Sequence, residues 1–300
     1  MGTGQASIAD ASTVLVNRCL VQQGITYLSI PRDTGGAPPP PPLGSVSFGT
    51  IDTETAETTG FGLWEAYVPG EGLVNQVTSA PGEQPAAQQA INQEIKVQNA
   101  KYAALTPAQQ QRWNTALNGT GARVTVHTRG ETSSSPSNGC NADATKALYG
   151  SVRASLVASA TVQNLSDQLD KDVLSASGVV SLEQAWSSCM ATKGYGGIAQ
   201  RSDVLDRVEA LYTGATQSVA VLKAEEIALA TADAKCAQQT DFVSKGDSIE
   251  ATVTAKFLKA QQGTLTGYLE VMHKAEAKAS AVLASVGNGG GSGSASSTKG

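Results

Sequence analysis

Apolar residues follow helical spacing most clearly in the stretch L-E-Q-A-W-S-S-C-M-A-T-K-G-Y, which begins at Leu182. Leu182, Trp186, Cys189 and Met190 stand at i, i+4, i+7 and i+8, a spacing that predicts a helix with one apolar face. Gly194 predicts the end of this helix, because glycine adopts a left-handed conformation without a Cβ penalty. A cysteine therefore lies on the core-facing side of the predicted helix.

The same pattern predicts helices over most of the chain. Cys19 and Leu20 precede Gly24 and predict a helix over about residues 9–23. Thr106-Pro107 predicts another helix start, since threonine caps helices and proline fits their first turn. Further helical segments are predicted at 84–105, after Cys140, and at 165–174 and 203–212.

Two long segments near the C-terminus predict a helical hairpin. Residues 219–239 carry Leu222, Leu229 and Cys236 at seven-residue steps. Residues 241–285 keep helical spacing as one long helix or as two collinear helices, with glycines at 263 and 267 as weak points. Two long neighbouring helices of this kind pack as an antiparallel pair.

The N-terminal part is less regular. Five consecutive prolines, Pro38–Pro42, lie in a predicted extended strap over residues 31–43. Residues 44–70 then interleave glycines with aromatic side chains, namely Phe48, Phe61, Trp64 and Tyr67. The rings either form a contact surface, together with Tyr195 in the 194–197 turn, or fill gaps in a helical core. The second interpretation is favoured for the segment as a whole.

Composition shifts predict the organisation of the chain. The segments are a flexible tether (1–8), an N-terminal helical and irregular part (9–131), a linker loop (132–139), a C-terminal helical bundle (140–286) and a Gly/Ser tail (287–300). Within the N-terminal part, R-V-T-V-H-T at 123–128 alternates apolar and polar residues and predicts a short strand or an extended arm.

Composition also narrows the fold and the partners. Hydrophobic residues make up 40% of the chain but aromatic residues only 5%, which favours an all-α fold built on small side chains. Charged residues make up 16% and the formal net charge is −5, which argues against nucleic acid as a partner. The sequence contains no run of 18 apolar residues, so no transmembrane helix is predicted.

Four separated cysteines and an excess of small residues favour an exported protein with two disulfides, over four free thiols in a cytosolic protein. Three connectivities are possible. Spacing favours Cys189 with Cys236, because both lie on the apolar faces of strong helices, and this leaves Cys19 with Cys140. No C-x-x-C pair is present and the chain has two histidines, so we expect no metal and no cofactor.

Several of these motifs resemble a known group of proteins. C-M-x-x-x-G-[FY] at 189–195 and E-I-A-x-A-x-A-D-x-x-C at 226–236 are similar to motifs of uncharacterised actinobacterial exported proteins, many of them lipoproteins. Cys19-Leu20-x-x-x-Gly24, Gly139-Cys140 and the segment that starts at Leu105 also resemble that group, and the likeness covers most of residues 10–240. The resemblance implies an extracellular or cell-surface location. Residues 1–4 are polar, like the tether that follows a lipid-anchored cysteine, so a lipid-anchored and a freely secreted form are both open. It also suggests a transport-accessory role beside an ABC-type export system.

Two carboxylates lie near the seam cysteine of the 219–239 helix. Glu226, Asp233 and Cys236 fall at i, i+7 and i+10, on about the same side of the helix. Buried acids need a partner, so the favoured interpretation is that they bond a neighbouring helix end or an arginine, with Arg153, Arg201 and Arg207 as candidates. The alternative is a small-ligand patch or the paired carboxylates of a hydrolase.

No nucleotide-binding, serine-hydrolase or zinc-protease motif occurs, and both histidines, His127 and His273, are predicted to be solvated. The leading functional expectation is therefore a non-enzymatic, exported cell-envelope protein that binds an envelope protein or a small ligand. The alternatives are a cell-wall or glycan hydrolase that uses the paired carboxylates, and a purely structural surface protein.

Overall fold

The computed structural model describes residues 2–30, 43, 46–49, 51–68, 72–73, 86–128, 131–213 and 215–287. In chain order, these residues form α1 (Gly2–Gln22), α2 (Thr53–Thr58), a 3₁₀ helix (Leu63–Ala66), β1 (Tyr67–Val68), β2 (Gly72–Leu73), α3 (Ala86–Ala103), α4 (Pro107–Asn118), β3 (Arg123–Thr128), β4 (Glu131–Pro136), α5 (Cys140–Tyr149), α6 (Val152–Leu174), α7 (Ser177–Thr192), α8 (Asp203–Tyr212), α9 (Val219–Thr240), α10 (Phe242–Ala260) and α11 (Gln262–Gly287). The predicted all-α class is confirmed.

The chain divides into two compact units, each assembled from separate segments. Unit 1 contains Met1–Leu43, Gln84–Ser166 and Gln261–Gly300, and unit 2 contains Gly44–Glu83 and Asp167–Ala260. The predicted boundary at 132–139 thus falls inside unit 1. Sequence patterns reveal neighbours along the chain, whereas these units depend on segments more than a hundred residues apart.

Unit 1 is built around α1, which packs against α5 and α11. Its buried side chains include Leu20, Leu117 and Leu148, with Met272 contributed by α11. Small side chains fill the interface of α1 with α11, where Ala11, Ala275 and Ala279 are fully buried. These alanines let helices approach closely, which explains how a chain poor in aromatic residues forms a core.

A disulfide joins α1 to the first residue of α5. Cys19 and Cys140 form it, with an S–S distance of 2.01 Å and a Cα–Cα distance of 5.5 Å. The segment after α1 is held by Asn17, whose side chain both donates to the Ile30 carbonyl and accepts from the Ile30 N–H. Gly24 follows α1 with φ 74°, a left-handed conformation that glycine adopts readily after a helix end.

Unit 2 is built around α9, which packs against α2, α7, α8, α10 and the 3₁₀ helix. A second disulfide, Cys189–Cys236, joins α7 to α9 with an S–S distance of 1.99 Å. The predicted cysteine connectivity is therefore confirmed, and each unit holds one bridge. Trp186 and Met190, which define the predicted stripe of α7, are fully buried.

The structure corrects several local predictions. Residues 2–8 belong to α1 and not to a flexible tether. Residues 131–136, most of the predicted linker loop, form β4, which pairs antiparallel with β3. The predicted short helix at 165–174 is the second half of α6, because Ala158, Leu165 and Leu169 continue one buried stripe at helical spacing.

The predicted C-terminal hairpin corresponds to α9 and α10, which pack against each other on either side of Asp241. Asp241 ends α9 with φ 55°. The helix predicted at 241–285 is broken at Gln261, ahead of both glycines that were expected to weaken it. The proline strap at 31–43, apart from Leu43, and the tail beyond Gly287 lie outside the described residues.

Candidate functional site

Glu226 joins α9 to the segment 44–70 of unit 2, which carries Phe48, Phe61, Trp64 and Tyr67 and is called the aromatic segment below. Its side chain is fully buried. It accepts hydrogen bonds from the N–H groups of Leu63 and Trp64, at 3.1 Å each, and from the Tyr212 hydroxyl. These N–H groups open the 3₁₀ helix, where they lack partners within the helix, so the carboxylate caps it. Gly60 leaves room for the carboxylate, since a Cβ there would lie 3.1 Å from Glu226 Oε1.

The hydroxyl group of Tyr212, which is buried beside Glu226, has a raised pKa. Desolvation, and then its hydrogen bond to Glu226, raise the pKa of the Tyr212 phenol well above its usual range. The phenol therefore remains a donor at physiological pH. Its ring packs 5.2 Å from that of Tyr67, whose own hydroxyl donates to the Ala215 carbonyl.

Asp233 is a second buried anchor, two turns along α9. Arg201 donates to it twice, Nε to Oδ1 at 2.7 Å and Nη2 to Oδ2 at 3.1 Å. The Trp186 indole N–H also donates to Oδ1, at 3.0 Å. Arg201 Nη1 donates to the Phe48 carbonyl at 2.8 Å, and its guanidinium lies 5.1 Å from the centre of the Phe242 ring. The ion pair thus holds the aromatic segment against the helices.

Both carboxylates therefore have the partners favoured from the sequence. Glu226 bonds a helix end, and Asp233 bonds Arg201, one of three arginines considered. Neither side chain presents an unpaired oxygen to solvent, because both are fully buried and fully engaged. Their hydrogen bonds thus make both carboxylates structural anchors within unit 2.

The aromatic residues of the predicted contact surface separate into two groups. Phe48 and Tyr67 are buried, and the ring of Phe48 packs against Phe242 at 6.0 Å. Phe61, Trp64 and Tyr195 are half-buried. Lys223 Nζ lies 3.4 Å from the centre of the Trp64 ring, and the Trp64 indole donates to Thr59 O. Phe48 and Tyr67 thus fill gaps in the helical core, in agreement with the favoured interpretation, whereas Phe61, Trp64 and Tyr195 remain partly exposed.

A cleft of about 590 Å³ opens beside the Asp233 anchor. Its size lies in the range of small-molecule sites in proteins. Its walls are mostly apolar and come from the aromatic segment, from helices α6 to α10 and from the turn that precedes α8. The lining includes Phe48, Phe61, Leu174, Val204, Leu205 and Phe242. Leu174 and Leu205 are 52% and 48% exposed, so the rim is unusually apolar for a solvent-facing surface.

Ionisable groups line the same cleft. They are Asp170, Glu183, Arg201 and Asp233. Glu183 Oε2 accepts the backbone N–H of Arg201 at 2.8 Å, and burial raises the pKa of the Glu183 carboxyl above its ordinary value. Sequence reasoning missed Glu183. Glu183 follows Leu182 on the predicted helix and lies three residues before Trp186. This position beside the apolar face could have predicted a partly buried carboxylate.

The described residues offer no cluster of three His, Cys, Asp or Glu side chains that could hold a metal ion. His127 lies on β3, is exposed, and its Nδ1 is 3.0 Å from Thr132 Oγ1. His273 is exposed on α11. Both histidines are thus solvated, as predicted. None of the described helices has a stretch that is long and apolar enough to span a bilayer.

The fold and the cleft together define a helical protein with one disulfide in each of two units and a small-molecule-sized cavity in the second. Comparison with protein-family models, with curated proteins and with solved structures found no match for this chain.

Proposed function

We propose that the chain is an exported, non-enzymatic cell-envelope protein that binds a small molecule in the cleft of unit 2. The observation that carries this proposal is the cleft itself, with apolar walls and a few polar groups, inside a disulfide-linked unit. Such a combination is typical of binding sites. The resemblance to exported actinobacterial proteins supports the same reading, and a transport-accessory role beside an export system would use the bound molecule as cargo.

The disulfides support the proposed location outside the cytoplasm. Two well-formed bridges use all four cysteines, and such bridges persist chiefly in oxidising compartments. The location is tested by alkylating thiols in native cells before lysis and then measuring the mass of the protein. An exported protein takes up no alkylating groups, whereas four modified cysteines would contradict the proposal.

The burial of Glu226 and Asp233 favours a binding protein over a hydrolase. A glycosidase needs two carboxylates that reach the scissile bond from either side. These two carboxylates are fully buried and are occupied by Tyr212, the 3₁₀ helix, Trp186 and Arg201.

Binding is tested by a thermal-shift screen of small molecules, including peptidoglycan fragments. A ligand of the native state raises the unfolding midpoint, and it is recovered unchanged because no reaction consumes it. Leu205→Trp should abolish the shift by filling the cleft. The matched control is Val221→Trp, which adds an indole at a position that is similarly exposed (46%) but does not line the cleft.

A purely structural surface protein would give no shift with any compound. Turnover of a peptidoglycan fragment would favour the hydrolase. Either result would overturn the proposal.

A further inference from the structure

The walls of the cleft favour a ligand with a large apolar part. Phe61, Leu174 and Leu205 line it with partly exposed side chains. Phe48, Val204 and Phe242 also line it but are buried. Hydrocarbon groups of a ligand are favoured against the exposed side chains, because the contact removes apolar surface from water.

The charges in the cleft are unbalanced. Three carboxylates line it against one guanidinium, that of Arg201. Arg201 and Asp233 neutralise each other through two hydrogen bonds. With that pair neutral, the Glu183 carboxylate gives the cleft wall beside it a negative potential, which repels anions and attracts cations.

Arg201 is not positioned to receive an anionic ligand. Its Nε and Nη2 donate to Asp233, and its Nη1 donates to the Phe48 carbonyl. Its side chain is only 6% exposed. An incoming carboxylate or phosphate would have to displace these partners and would leave Asp233 buried without its counter-charge.

Glu183 is positioned to receive a cation. Among the described residues, only the Arg201 backbone N–H donates to its carboxylate, through Oε2, so that Oε1 retains acceptor capacity. The side chain is half-buried at the cleft wall, where charge-assisted hydrogen bonds are stronger than at an open surface.

We infer that the ligand of this cleft is an organic amine, with an apolar body against Phe61, Leu174 and Leu205 and a protonated nitrogen on the Glu183 carboxylate. This inference rests on the proposed binding function and narrows it to a chemical class. The burial that raises the pKa of the Glu183 carboxyl is consistent with it, because a cation at this position would offset the cost of ionising the group.

Three compounds that share one skeleton test the inference: phenylbutylamine, phenylbutanol and phenylbutanoate. Titration calorimetry at neutral pH measures their affinities for the full chain. We expect the amine to bind at least about tenfold more tightly than the alcohol, since one charge-assisted hydrogen bond contributes roughly this factor. The carboxylate should bind most weakly.

Glu183→Gln should remove the advantage of the amine and leave the affinity for the alcohol unchanged. Glutamine keeps an oxygen for the Arg201 N–H, so the local fold is retained. The control is Asp172→Asn, an exposed acid on the same helix as Asp170 that does not line the cleft; it should change nothing.

An alcohol or carboxylate that binds as tightly as the amine would overturn the inference. So would binding of none of the three when the thermal-shift screen finds another ligand that is sensitive to Leu205→Trp; the binding function would then stand. If the screen also finds no such ligand, the proposed function fails together with the inference.

Discussion

At the scale of single residues, Asp233 and Arg201 form a buried ion pair in unit 2. Their side chains are 1% and 6% exposed. A buried pair is costly to form, yet removing one partner costs more, because the other charge remains buried alone. Lys235 and Glu57 form the contrasting case, since their side chains are 49% and 48% exposed.

We predict that Asp233→Asn lowers the free energy of unfolding by about 3–5 kcal/mol, because it strands the Arg201 charge. Lys235→Gln, two residues along the same helix, should cost less than about 1 kcal/mol. Urea denaturation of the two variants measures both values. Equal losses would show that the Asp233 pair contributes no more than a surface pair.

Glu183 gives a prediction for pH. Burial raises its folded-state pKa above the ordinary value of 4.5, so the native state holds this proton more tightly than the unfolded chain. Its contribution to stability is therefore present below pH 4.5 and is lost as pH rises through the folded-state pKa. Glu183→Gln removes that loss, so the stability of the variant relative to the parent should increase between pH 4 and pH 7.

Denaturation of the Glu183→Gln variant and the parent at both pH values checks this. Glu209→Gln, at an exposed acid on α8, serves as the control and should show no such trend. A relative stability of Glu183→Gln that falls over the same interval would contradict the prediction.

At the scale of elements, the aromatic segment is held to the helices by close contact as well as by hydrogen bonds. The ring of Phe48 lies directly over Gly246 of α10. A Cβ at position 246 would come within 2.4 Å of Phe48 Cγ. Glycine at this point is thus a condition for the segment to dock.

We predict that Gly246→Ala costs about 1–3 kcal/mol by overpacking the contact with Phe48. Gly267→Ala, inside α11, is the matched control, since a Cβ there meets nothing within 4 Å. It should stabilise the protein by about 0.5–1 kcal/mol, because alanine favours helix more than glycine does. Thermal unfolding of both variants gives the comparison, and stabilisation by both would exclude the contact with Phe48 as a constraint.

Features encoded within one helix could be predicted from the sequence, whereas contacts between segments far apart in the chain could not. The stripe through Trp186 and Met190, the Thr106 cap and the cysteine pairing were predictable, because helical periodicity and spacing encode them locally. The choice of Arg201 among three arginines, and the Gly246 contact, were not. Both require knowing which distant segment lies against the helix, and a single sequence with few long apolar residues does not specify that.

At the scale of the whole molecule, each unit is closed by its own disulfide. The Cys19–Cys140 bridge spans 121 residues and Cys189–Cys236 spans 47. Chain-entropy estimates give roughly 5 and roughly 4 kcal/mol for loops of these lengths. The tryptophans separate in the same way, because Trp113 belongs to unit 1, whereas Trp64 and Trp186 belong to unit 2.

We predict that the two bridges stabilise different parts of the molecule. In a Trp113→Phe background, fluorescence reports on unit 2 alone. Replacing Cys189 and Cys236 by alanine should lower the urea midpoint of this signal. Replacing Cys19 and Cys140 should instead lower the midpoint of the helical circular dichroism ahead of the fluorescence. Coincident midpoints in both variants would mean that the molecule unfolds as one cooperative body.

The division of the chain also sets an order for biosynthesis. Every segment of unit 2 has been synthesised by Ala260, whereas unit 1 still lacks α11, the helix that packs along α1. A nascent chain can therefore complete unit 2 while it is still attached to the ribosome or threaded through a secretion channel. Unit 1 must wait until α11 (Gln262–Gly287) has also emerged, so the face of α1 that carries Ile8 and Ala11 stays uncovered until then.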